Sequence, residues 1–280
     1  MSDKNTPLVS IITPSFNQAR YLEATIQSVL QQDYPHIEYL LADGASTDGS
    51  LAIIQQYAHL LAWWVSEPDS GQADAINKGL SRATGDIVAW LNSDDVYLPG
   101  AVSQAVKVFQ THPEVGLVYG DLHSINSRGQ VFNTITYAQY TLDDLLAFRI
   151  IGQPAVFMRR SVLQQAGLLD PAYQYLLDHH LWLRIAQRAA LKYVPSPWAA
   201  ARHHPAAKNV ALAAGFGEEA FRILAWAKTQ PDLHAVIASR PRRVLGGAHR
   251  LNARYLLEGG QPAASLRAYA RALRCDPGFA

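Results

Sequence analysis

Short apolar strands alternate with amphipathic helices along the first 120 residues of the chain. Residues 8–13 form a β-branched run that ends before Pro14, and the apolar side chains of residues 19–31 recur at helical spacing. The alternation continues through predicted strands at 37–42, 63–66, 87–91 and 115–119 and predicted helices at 51–59, 72–83 and 99–110. This pattern predicts an α/β fold with a mostly parallel sheet flanked by helices.

The rest of the chain is predicted to be mainly helical. Helical patches return between residues 142 and 188, and a short strand at 192–194 is followed by Pro195-Ser196-Pro197. From residue 205 onward the predicted helices are interrupted at 215–217, Pro231, Pro241 and 259–260. We therefore expect one α/β domain over residues 1–204 and a small all-α region over residues 205–280.

Charge separates the same two regions. Lys and Arg exceed Asp and Glu by only one over the whole chain, 24 against 23. Residues 1–204 carry 13 basic and 18 acidic side chains, whereas residues 205–280 carry 11 and 5. A hydrophobic fraction of 49% and a charged fraction of 17% exclude a disordered chain. The near-neutral sum gives no indication of a nucleic-acid partner.

Cysteine content and hydropathy bear on the compartment. A single cysteine, Cys275, cannot form an internal disulfide, so a disulfide-stapled secreted fold is excluded and a reducing compartment is favoured. No apolar stretch of signal-peptide length precedes Pro7, and the apolar run at residues 60–65 is far shorter than the roughly 20 residues of a spanning helix. We expect a cytoplasmic protein, for which peripheral contact with the inner face of a membrane is compatible with the basic C-terminal region.

Polar side chains follow the ends of four successive predicted strands. They are Thr13-Pro14, Asp43, Glu67-Pro68-Asp69 and Asn92-Ser93-Asp94-Asp95. In open α/β sheets, ligands bind outside the carboxyl ends of the strands. Turn formation explains each residue singly, but it explains less well why carboxylates accumulate at one edge. Clustered carboxylates repel each other unless a cation lies among them, so a hard divalent metal ion is the natural partner.

The two Asp-Asp pairs of the chain stand in different contexts. Asp94-Asp95 follows the predicted strand IVAW at its carboxyl end, whereas Asp143-Asp144 opens an amphipathic helix. Acidic residues are favoured in the first turn of a helix, where they complement the macrodipole. We therefore assign Asp143-Asp144 to helix initiation and Asp94-Asp95 to the candidate site.

Several linked motifs occur in a fixed order. They are VSIITPSFNQARYLEATIQSVLQQDYPHIEYLLADGASTDGS, SEPDSGQADAINKGLSRATGDIVAWLNSDD, GQPAVFMRRSVLQQAGLLD and LDHHLWLR. Together they resemble the GT-A domain of family-2 glycosyltransferases, the inverting, nucleotide-sugar-dependent group. The resemblance is dense over residues 8–100 and looser through residue 184. It implies a Rossmann-like GT-A fold, here with a C-terminal helical appendage.

The resemblance implies a nucleotide-sugar-binding role for one set of residues. They are Thr13, Pro14, Asn17, Asp43, Asp69, Asn77 and Asp94. Thr13, Pro14 and Asn17 match the loop that lines the nucleotide pocket. Asp43 matches the carboxylate that accepts hydrogen bonds from the base or ribose, while the segment containing Asp69 and Asn77 matches the part that closes over the nucleoside and phosphates.

The resemblance also implies a metal ligand and a catalytic base. Asp94-Asp95 match the DXD-type motif, whose final carboxylate, Asp95, holds Mn²⁺ or Mg²⁺ at the diphosphate, and Asp178 matches the general base. His204 follows His203 near the place where such enzymes carry a C-terminal metal or phosphate ligand, although adjacent histidines outside a regular element are more often packed or exposed. The chemistry agrees, because a leaving diphosphate needs its charge neutralised and inversion in one displacement needs one base.

The chain departs from the family pattern at two positions. Relatives often have Glu-Asp-x-Asp where this chain has Leu177-Asp178-His179-His180, so the neighbours of the predicted base are altered. An Arg that relatives carry before Asn77 is Ile76 here, and Lys78 or Arg82 would have to replace it. The QxxRW motif of processive polysaccharide synthases is absent, which favours transfer of a single sugar.

The C-terminal region has a second, weaker resemblance. Residues 260–277 are similar to the second half of a tetratricopeptide-like repeat, with Tyr269, Ala272, Leu273 and Pro277 at the expected offsets. The many Arg side chains of this region suit an anionic membrane surface or an acidic protein partner, and equally a solvated helix face.

These observations predict a metal-dependent inverting glycosyltransferase. It would move one sugar from a UDP-, GDP- or dTDP-type donor to a glycan, lipid-linked or protein acceptor in bacterial surface-glycan assembly. The alternative is a catalytically silent nucleotide-binding protein that acts as a scaffold through its helical tail. A dehydrogenase is disfavoured, because no G-x-G-x-x-G follows the first strand.

Overall fold

The computed structural model describes residues 6–204 and 215–279, which divide into two compact units. The first unit takes its described residues from Met1–Gln139, Ile151–Gln174 and Arg184–Arg202, and the second from Tyr140–Ile150, Tyr175–Leu183 and His203–Ala280. The second unit thus differs from the predicted 205–280 region, because it also contains two earlier segments that pack with the C-terminal helices.

The strands of the described residues all lie in the first unit and form one sheet. They are β1 (Val9–Ser15), β2 (Ile37–Asp43), β3 (Trp63–Ser66), β4 (Ile87–Trp90), β5 (Val96–Tyr97), β6 (Val115–Ile125), β7 (Val131–Ile135), β8 (Val156–Arg159) and β9 (Ala190–Arg202). Their order is β3-β2-β1-β4-β8-β6-β9-β5, with β7 paired to β6. The first four strands are parallel, while β8 is antiparallel to both of its neighbours. The structure confirms the α/β class, with a sheet that is parallel on one side and mixed on the other.

Helices flank the sheet in the first unit and build the second. In chain order they are α1 (Ala19–Leu30), α2 (Ser50–Tyr57), α3 (Gln72–Arg82), α4 (Ala101–Thr111), α5 (Leu142–Leu146), α6 (Arg160–Ala166), α7 (Leu177–Ala186), α8 (Gly215–Thr229), α9 (Pro231–Ser239), α10 (Pro241–Glu258) and α11 (Pro262–Cys275). Among the helices of residues 6–204 and 215–279, none has the length and hydropathy needed to cross a membrane.

The buried core of the first unit contains the apolar residues that the sequence pattern places on the inner faces of its helices and strands. In α1 the buried residues include Leu22, Ile26 and Val29, which lie on one face at helical spacing. An aromatic group fills the mixed side of the sheet, where the Phe157 ring stacks on Tyr97 and meets Trp198 edge-on. Burial of these surfaces removes apolar area from water, which is the main favourable term for folding.

The sequence pattern predicted that the first strand ends before Pro14, and this prediction is wrong. β1 continues through Ser15, and Pro14 lies opposite Ala42 of β2. The other neighbour, β4, pairs with β1 only as far as Ile12 opposite Trp90, so the missing N–H of Pro14 interrupts no ladder on that side. The strand can therefore carry a proline without losing a hydrogen bond.

The proline-rich segment near residue 196 is part of a strand and not a break. β9 extends from Ala190 to Arg202, although only 192–194 was predicted as strand. Its pairing with β6 shifts register between Tyr119 and Asp121, opposite Tyr193 and Pro197. The irregularity accommodates the prolines, because an extra residue in one strand need not bond to its partner.

In the second unit, Asp143 and Asp144 begin α5, and this confirms the helix-initiation assignment. The Asp144 carboxylate accepts the backbone N–H of Thr141, and the Thr141 side chain accepts the backbone N–H of Asp144, which together form a capping box. Arg243 of α10 pairs with Asp144, and Arg240 lies 3.1 Å from Asp143. These ion pairs explain why the 140–150 segment belongs with the C-terminal helices.

The predicted helix break at residues 215–217 is wrong, since α8 begins at Gly215 and includes all three residues. The two glycines serve close packing: a Cβ on Gly215 would lie 2.5 Å from the Tyr175 ring, and one on Gly217 would overlap the Asn252 side chain. The predicted breaks at Pro231 and Pro241 are confirmed, because each proline occupies the first turn of a new helix.

Replacing Gly120 by alanine is expected to destabilise the sheet. A Cβ at this position in β6 would lie 2.6 Å from the Ser196 carbonyl oxygen and 2.7 Å from the Trp198 ring, and neither can move freely. We expect Gly120→Ala to lower the free energy of unfolding by about 1–3 kcal/mol, measured by urea unfolding. Gly278→Ala is the control, because a Cβ on Gly278 would meet no atom within 4 Å. Equal unfolding midpoints for the two variants would contradict the packing argument.

Candidate active site

The loops that follow β1 and β2 are joined by hydrogen bonds through Asn17. This residue has a φ of 52°, a left-handed conformation that asparagine tolerates better than most residues. Its backbone N–H donates to the Ser46 hydroxyl at 2.8 Å, and its side-chain oxygen accepts the N–H of Thr47 at 2.9 Å. The two strand-end loops therefore form one connected surface.

Asp43, the last residue of β2, is buried and holds its own loop. Its carboxylate accepts the backbone N–H of Ser46 at 2.9 Å and the hydroxyls of Ser46 and Ser66 at 2.5 and 2.7 Å. A carboxylate has about four acceptor positions, so three are already used within the protein. The predicted contact with a base or ribose stays a prediction, with little remaining acceptor capacity for it.

Asp48 caps two helices at the same edge. One carboxylate oxygen accepts the N–H of Ala19 at 2.9 Å, at the start of α1, and the other accepts the N–H of Ser50 at 3.1 Å, at the start of α2. Helix N-termini have unsatisfied N–H groups and a positive partial charge, so an anion stabilises both. The Asp-Gly-Ser pattern of residues 48–50 thus has a structural role in this chain.

Asp69 lies against the loops of the first two strands. A Cβ on Gly44 would lie 2.5 Å from Asp69 Oδ2 and 3.3 Å from the ring of Phe16, so any side chain here would have to displace the end of Asp69. The other oxygen of Asp69 accepts the Gly71 N–H at 2.8 Å. The sequence prediction that the ends of β1, β2 and β3 approach each other is therefore confirmed by these contacts.

Thr13 and Asn77 are used within the protein. The Thr13 hydroxyl is buried and lies 3.0 Å from the Tyr39 hydroxyl. The Asn77 amide donates to the Leu169 carbonyl at 2.8 Å and accepts the Leu169 N–H at 3.0 Å. The latter pair fastens α3 to the segment before residue 170, which favours a structural role for Asn77. Direct nucleotide contact by either residue stays a prediction.

Neither candidate for the missing phosphate-facing Arg has a free cation. Lys78 lies 2.9 Å from Glu67 and donates to the Pro68 carbonyl, and its carboxylate neighbours raise its pKa. The guanidinium of Arg82 lies 4.5 Å from the centre of the Trp63 ring, a cation–π geometry. Both side chains line a surface pocket between β3 and α3.

Asp95 is a buried carboxylate of the first unit that is held by two hydrogen bonds. It is 5% exposed, and its two oxygens accept the backbone N–H of Arg202 at 2.9 Å and the amide of Asn92 at 3.3 Å. The Arg202 Nε donates to the Asp94 carbonyl at 2.8 Å, so one residue of β9 holds both members of the Asp pair. Burial and the charge of Asp94 raise the pKa of Asp95 well above its ordinary value, against these hydrogen bonds.

Two glutamines extend the Asp95 network, and sequence reasoning missed them together with Arg202. The Gln72 amide donates to Asn92 at 2.8 Å, and the Asn92 amide also reaches Gln153 at 3.2 Å. Gln153 in turn donates to the Trp90 carbonyl at 2.7 Å. Gln72 and Gln153 lie in the SGQADA and GQPAVF segments that carried the family resemblance, whereas nothing in the sequence around Arg202 indicated its contact.

The donor set at Asp94-Asp95 fits a hard divalent cation. Carboxylate oxygens are the ligands that Mg²⁺ and Mn²⁺ prefer, and the raised pKa of Asp95 shows a buried carboxylate whose charge lacks full compensation. Residues 6–204 and 215–279 contain no group of three His, Cys, Asp or Glu side chains that could hold a metal alone. Mg²⁺ commonly binds through one or two carboxylates plus substrate phosphates and water, so a complete protein cage is not required.

In the second unit, Asp178 lies in the first turn of α7 and is partly buried. One carboxylate oxygen accepts the N–H of His179 at 2.7 Å. His179 itself is fully buried, with its Nε2 3.0 Å from the Leu145 carbonyl and its ring stacked on Phe148. His180 is also buried and meets the Trp226 ring edge-on. Both histidines next to the predicted base are therefore packing residues.

His204 is the last described residue before 215 and is buried, while its neighbour His203 is half-buried. Burial lowers the pKa of His203, against the charge of Glu258. The metal-binding role of His204 stays a prediction. Trp182 of α7 is fully buried and belongs to the core.

The chain is similar in sequence to known glycosyltransferases. The family described as Glycosyl transferase family 2 matches residues 10–166. The TuaG protein of Bacillus subtilis (strain 168), named as a putative teichuronic acid biosynthesis glycosyltransferase, is 33% identical over 193 residues, which cover 67% of this chain and 75% of TuaG. A PGL/p-HBAD biosynthesis glycosyltransferase of Mycobacterium bovis (strain BCG / Pasteur 1173P2) is 33% identical over 192 residues, 66% of this chain and 72% of that protein.

Among solved structures, residues 1–349 of S. aureus TarS in complex with UDP-GlcNAc align with a TM-score of 0.69 at 15% identity, over 97% of this chain and 91% of that one. The mannosyltransferase PcManGT of Pyrobaculum calidifontis, in complex with GDP-Man and Mn²⁺, aligns with a TM-score of 0.65 at 23% identity, over 94% and 75%.

The sheet and its flanking helices have the GT-A fold of these structures, which confirms the fold predicted from the sequence. The chain belongs to glycosyl transferase family 2, since the family match spans more than half of it. The family predicted from the motifs is therefore confirmed, and with it the assignment as a glycosyltransferase enzyme.

Buried His179 predicts a loss of stability in mildly acidic solution. Burial lowers its pKa from the ordinary 6.5 to about 4, although the Leu145 carbonyl opposes this. Between these two pH values the unfolded chain binds a proton that the folded chain does not, so stability present above pH 6.5 is lost as the pH falls towards 4. The loss attributable to His179 is at most about 3 kcal/mol.

The measurement is urea unfolding at pH 7 and pH 5. We expect His179→Gln, which cannot titrate, to show a smaller difference between the two conditions than the unchanged protein. His59→Gln is the control, because His59 is exposed and should leave the difference unchanged. An identical pH dependence in all three proteins would exclude His179 as the source.

Proposed function

We propose that the chain is an inverting, metal-assisted glycosyltransferase that transfers one sugar from a nucleoside diphosphate sugar to an acceptor hydroxyl. In this proposal Asp95 holds the cation, the loops after β1 to β4 bind the donor and Asp178 is the general base. The alternative, a silent nucleotide-binding scaffold, lacks an observation in its favour, because the altered neighbours of Asp178 are buried packing residues.

One observation carries the proposal: the buried Asp95 carboxylate is fixed at the carboxyl end of β4 by the Arg202 N–H and the Asn92 amide. A buried carboxylate with a raised pKa is an expensive feature, and such groups cluster at functional sites. Family membership makes a nucleotide sugar the expected ligand. Solved neighbours with UDP-GlcNAc and with GDP-Man and Mn²⁺ support a donor and a cation of this kind.

The residues of the first unit would bind and orient the donor. Asp69 and Phe16 border the narrow gap at Gly44, and Phe16 is 61% exposed, so its ring offers an apolar face to a base or sugar. Asp95 and Asp94 would hold Mn²⁺ or Mg²⁺. That cation, when bound, supplies positive charge for the leaving diphosphate.

Asp178 would remove the proton from the acceptor hydroxyl. A carboxylate in the first turn of a helix is stabilised in its ionised form by the helix N-terminus, which keeps it able to accept a proton. Inversion in a single displacement needs only this one base. The match of Asp178 to the family motif supports the assignment.

The names of related proteins suggest the class of acceptor and the process in which the chain acts. We propose a role in bacterial surface polysaccharide or glycan assembly, by analogy with the names of TuaG and the mycobacterial relative. The donor would carry UDP, GDP or dTDP, and the acceptor would be a glycan, a lipid-linked sugar or a protein. A cytoplasmic site of action, with the basic C-terminal helices near a membrane or a protein partner, is part of the same proposal.

Replacing Asp95 and Asp178 should separate donor binding from turnover. We expect Asp95→Asn to abolish Mn²⁺-dependent binding of the nucleotide sugar, measured by calorimetry over a panel of UDP-, GDP- and dTDP-sugars. Asp178→Asn should leave that binding unchanged and lower kcat by about 10²- to 10⁴-fold, measured as nucleoside diphosphate release.

Asp232→Asn is the matched control, because Asp232 is an exposed acidic residue in the first turn of another helix. An active Asp178→Asn variant would exclude Asp178 as the base. Absence of nucleotide binding and of release across the whole panel would refute the proposed function, whereas binding without turnover on any acceptor would favour the scaffold alternative.

Gly44→Ala should impair donor binding without unfolding the protein. The added Cβ displaces the end of the Asp69 side chain, which is flexible, so the cost to stability is small. We expect a several-fold rise in KM for the donor with little change in urea unfolding. In an Asp69→Ala background the same substitution should have no further effect on KM, and an equal effect in both backgrounds would contradict a role through Asp69.

A further inference from the structure

We infer that Glu219 of α8 is a positioning residue for the proposed base Asp178. The inference rests on the proposed function and deepens it, because it gives the C-terminal helical region a part in catalysis. The two residues lie in the same compact unit, 41 positions apart in the chain.

The geometry is a cap supplied from a distant helix. Glu219 Oε2 accepts the backbone N–H groups of Tyr175 and Leu176, each at 2.8 Å. The Leu176 carbonyl in turn accepts the N–H of His180 at 2.9 Å, which is the first hydrogen bond of α7. Glu219 therefore binds the two residues that immediately precede the Asp178 helix, which begins at Leu177.

The residue just before α7, Leu176, has no polar side chain, and Glu219 bonds to the N–H of this residue and not to the N–H groups inside the helix. An N-cap is ordinarily Ser, Thr, Asp or Asn, whose side chain bonds to the first N–H groups of the helix. Here Leu176 and Leu177 precede Asp178 and have no polar side-chain atom. Glu219 is 3% exposed, so its carboxylate is removed from water and committed to this position. A buried carboxylate that bonds two N–H groups at a helix start is favoured by the helix dipole.

Close packing fixes α8, and with it the carboxylate. Gly215 approaches the Tyr175 ring, and the Phe216 ring stacks on Tyr255 with centroids 4.1 Å apart. Phe216 also meets Tyr175, with centroids 5.2 Å apart. The segment that leads into α7 is thereby held by the two hydrogen bonds to Glu219 and by an aromatic cluster that includes residues of the C-terminal helices.

Asp178 is electrostatically part of the same cluster. Burial raises the pKa of Tyr255 to about 12, against the charge of Arg254, and the carboxylates of Glu258 and Asp178 add to the rise. A shift of the α7 start would change where the Asp178 carboxylate stands. Displacement of a catalytic group by about 1 Å can cost 10²-fold in rate, so the cap controls turnover and not donor affinity.

The test compares Glu219→Ala and Glu219→Gln with Glu218→Gln in the full chain. Glu218 is the adjacent residue of α8 and is exposed, so its substitution removes the same charge without touching α7. We expect kcat to fall roughly 10- to 100-fold in Glu219→Ala, less in Glu219→Gln, which keeps an acceptor oxygen, and not at all in Glu218→Gln. Donor KM should not change in any of them.

Two further readouts separate positioning from general destabilisation. In an Asp178→Asn background, Glu219→Ala should cause no additional loss of kcat, because the group it positions is already gone. Hydrogen exchange should increase at the Tyr175 and Leu176 amides of the Glu219 variants, while the strands of the first unit keep their protection.

The possible results distinguish the role of Glu219 from the proposed function of the chain. An unchanged kcat in both Glu219 variants of an active enzyme would overturn the inference alone. An additional loss in the Asp178→Asn background, or a matching rise in donor KM, would also overturn it. If the unaltered chain binds and turns over no nucleotide sugar, the proposed function falls and the inference falls with it.

Discussion

The contact between Asp95 and Arg202 is the interaction on which the first unit depends. It joins the turn after β4 to the last residue of β9, 107 positions later in the chain. The Arg202 side chain adds bonds to the Asp94 and Asn126 carbonyls and lies 4.7 Å from the Tyr21 ring centre. Removing one partner leaves a buried charged group without its hydrogen bond, and this destabilises the protein by more than the intact bond stabilises it. The end of β9 and the acidic turn must therefore be ordered together.

Several polar residues at the strand ends make hydrogen bonds within the protein. Asp43 uses three acceptor positions on Ser46 and Ser66, and the Asn77 amide is committed to Leu169. Such commitments hold loops in one conformation, which lowers the entropy that binding would otherwise have to remove. The rigidity of this edge is therefore a property of the loops themselves, and a ligand meets a surface that is already organised.

Local pattern was sufficient to predict most strands and helices of the first 120 residues, because each of them has its own periodicity and turn residues. It failed where pairing overrides composition, as in β1 through Pro14 and in β9 through Pro197. The roles of Asp95 and Asp178 are predictions that come from the family resemblance. Arg202 and Glu219 were not predictable, because their roles arise from contacts across 107 and 43 or 44 residues and leave no local signal.

Asp48 couples the first turns of two helices. Its carboxylate caps α1 through Ala19 and α2 through Ser50, so fraying of either helix leaves the shared anion with half of its partners. The free energy of opening one helix start then includes part of the cost of opening the other. Local fluctuations at the beginning of α1 and at the beginning of α2 are therefore coupled through this one carboxylate.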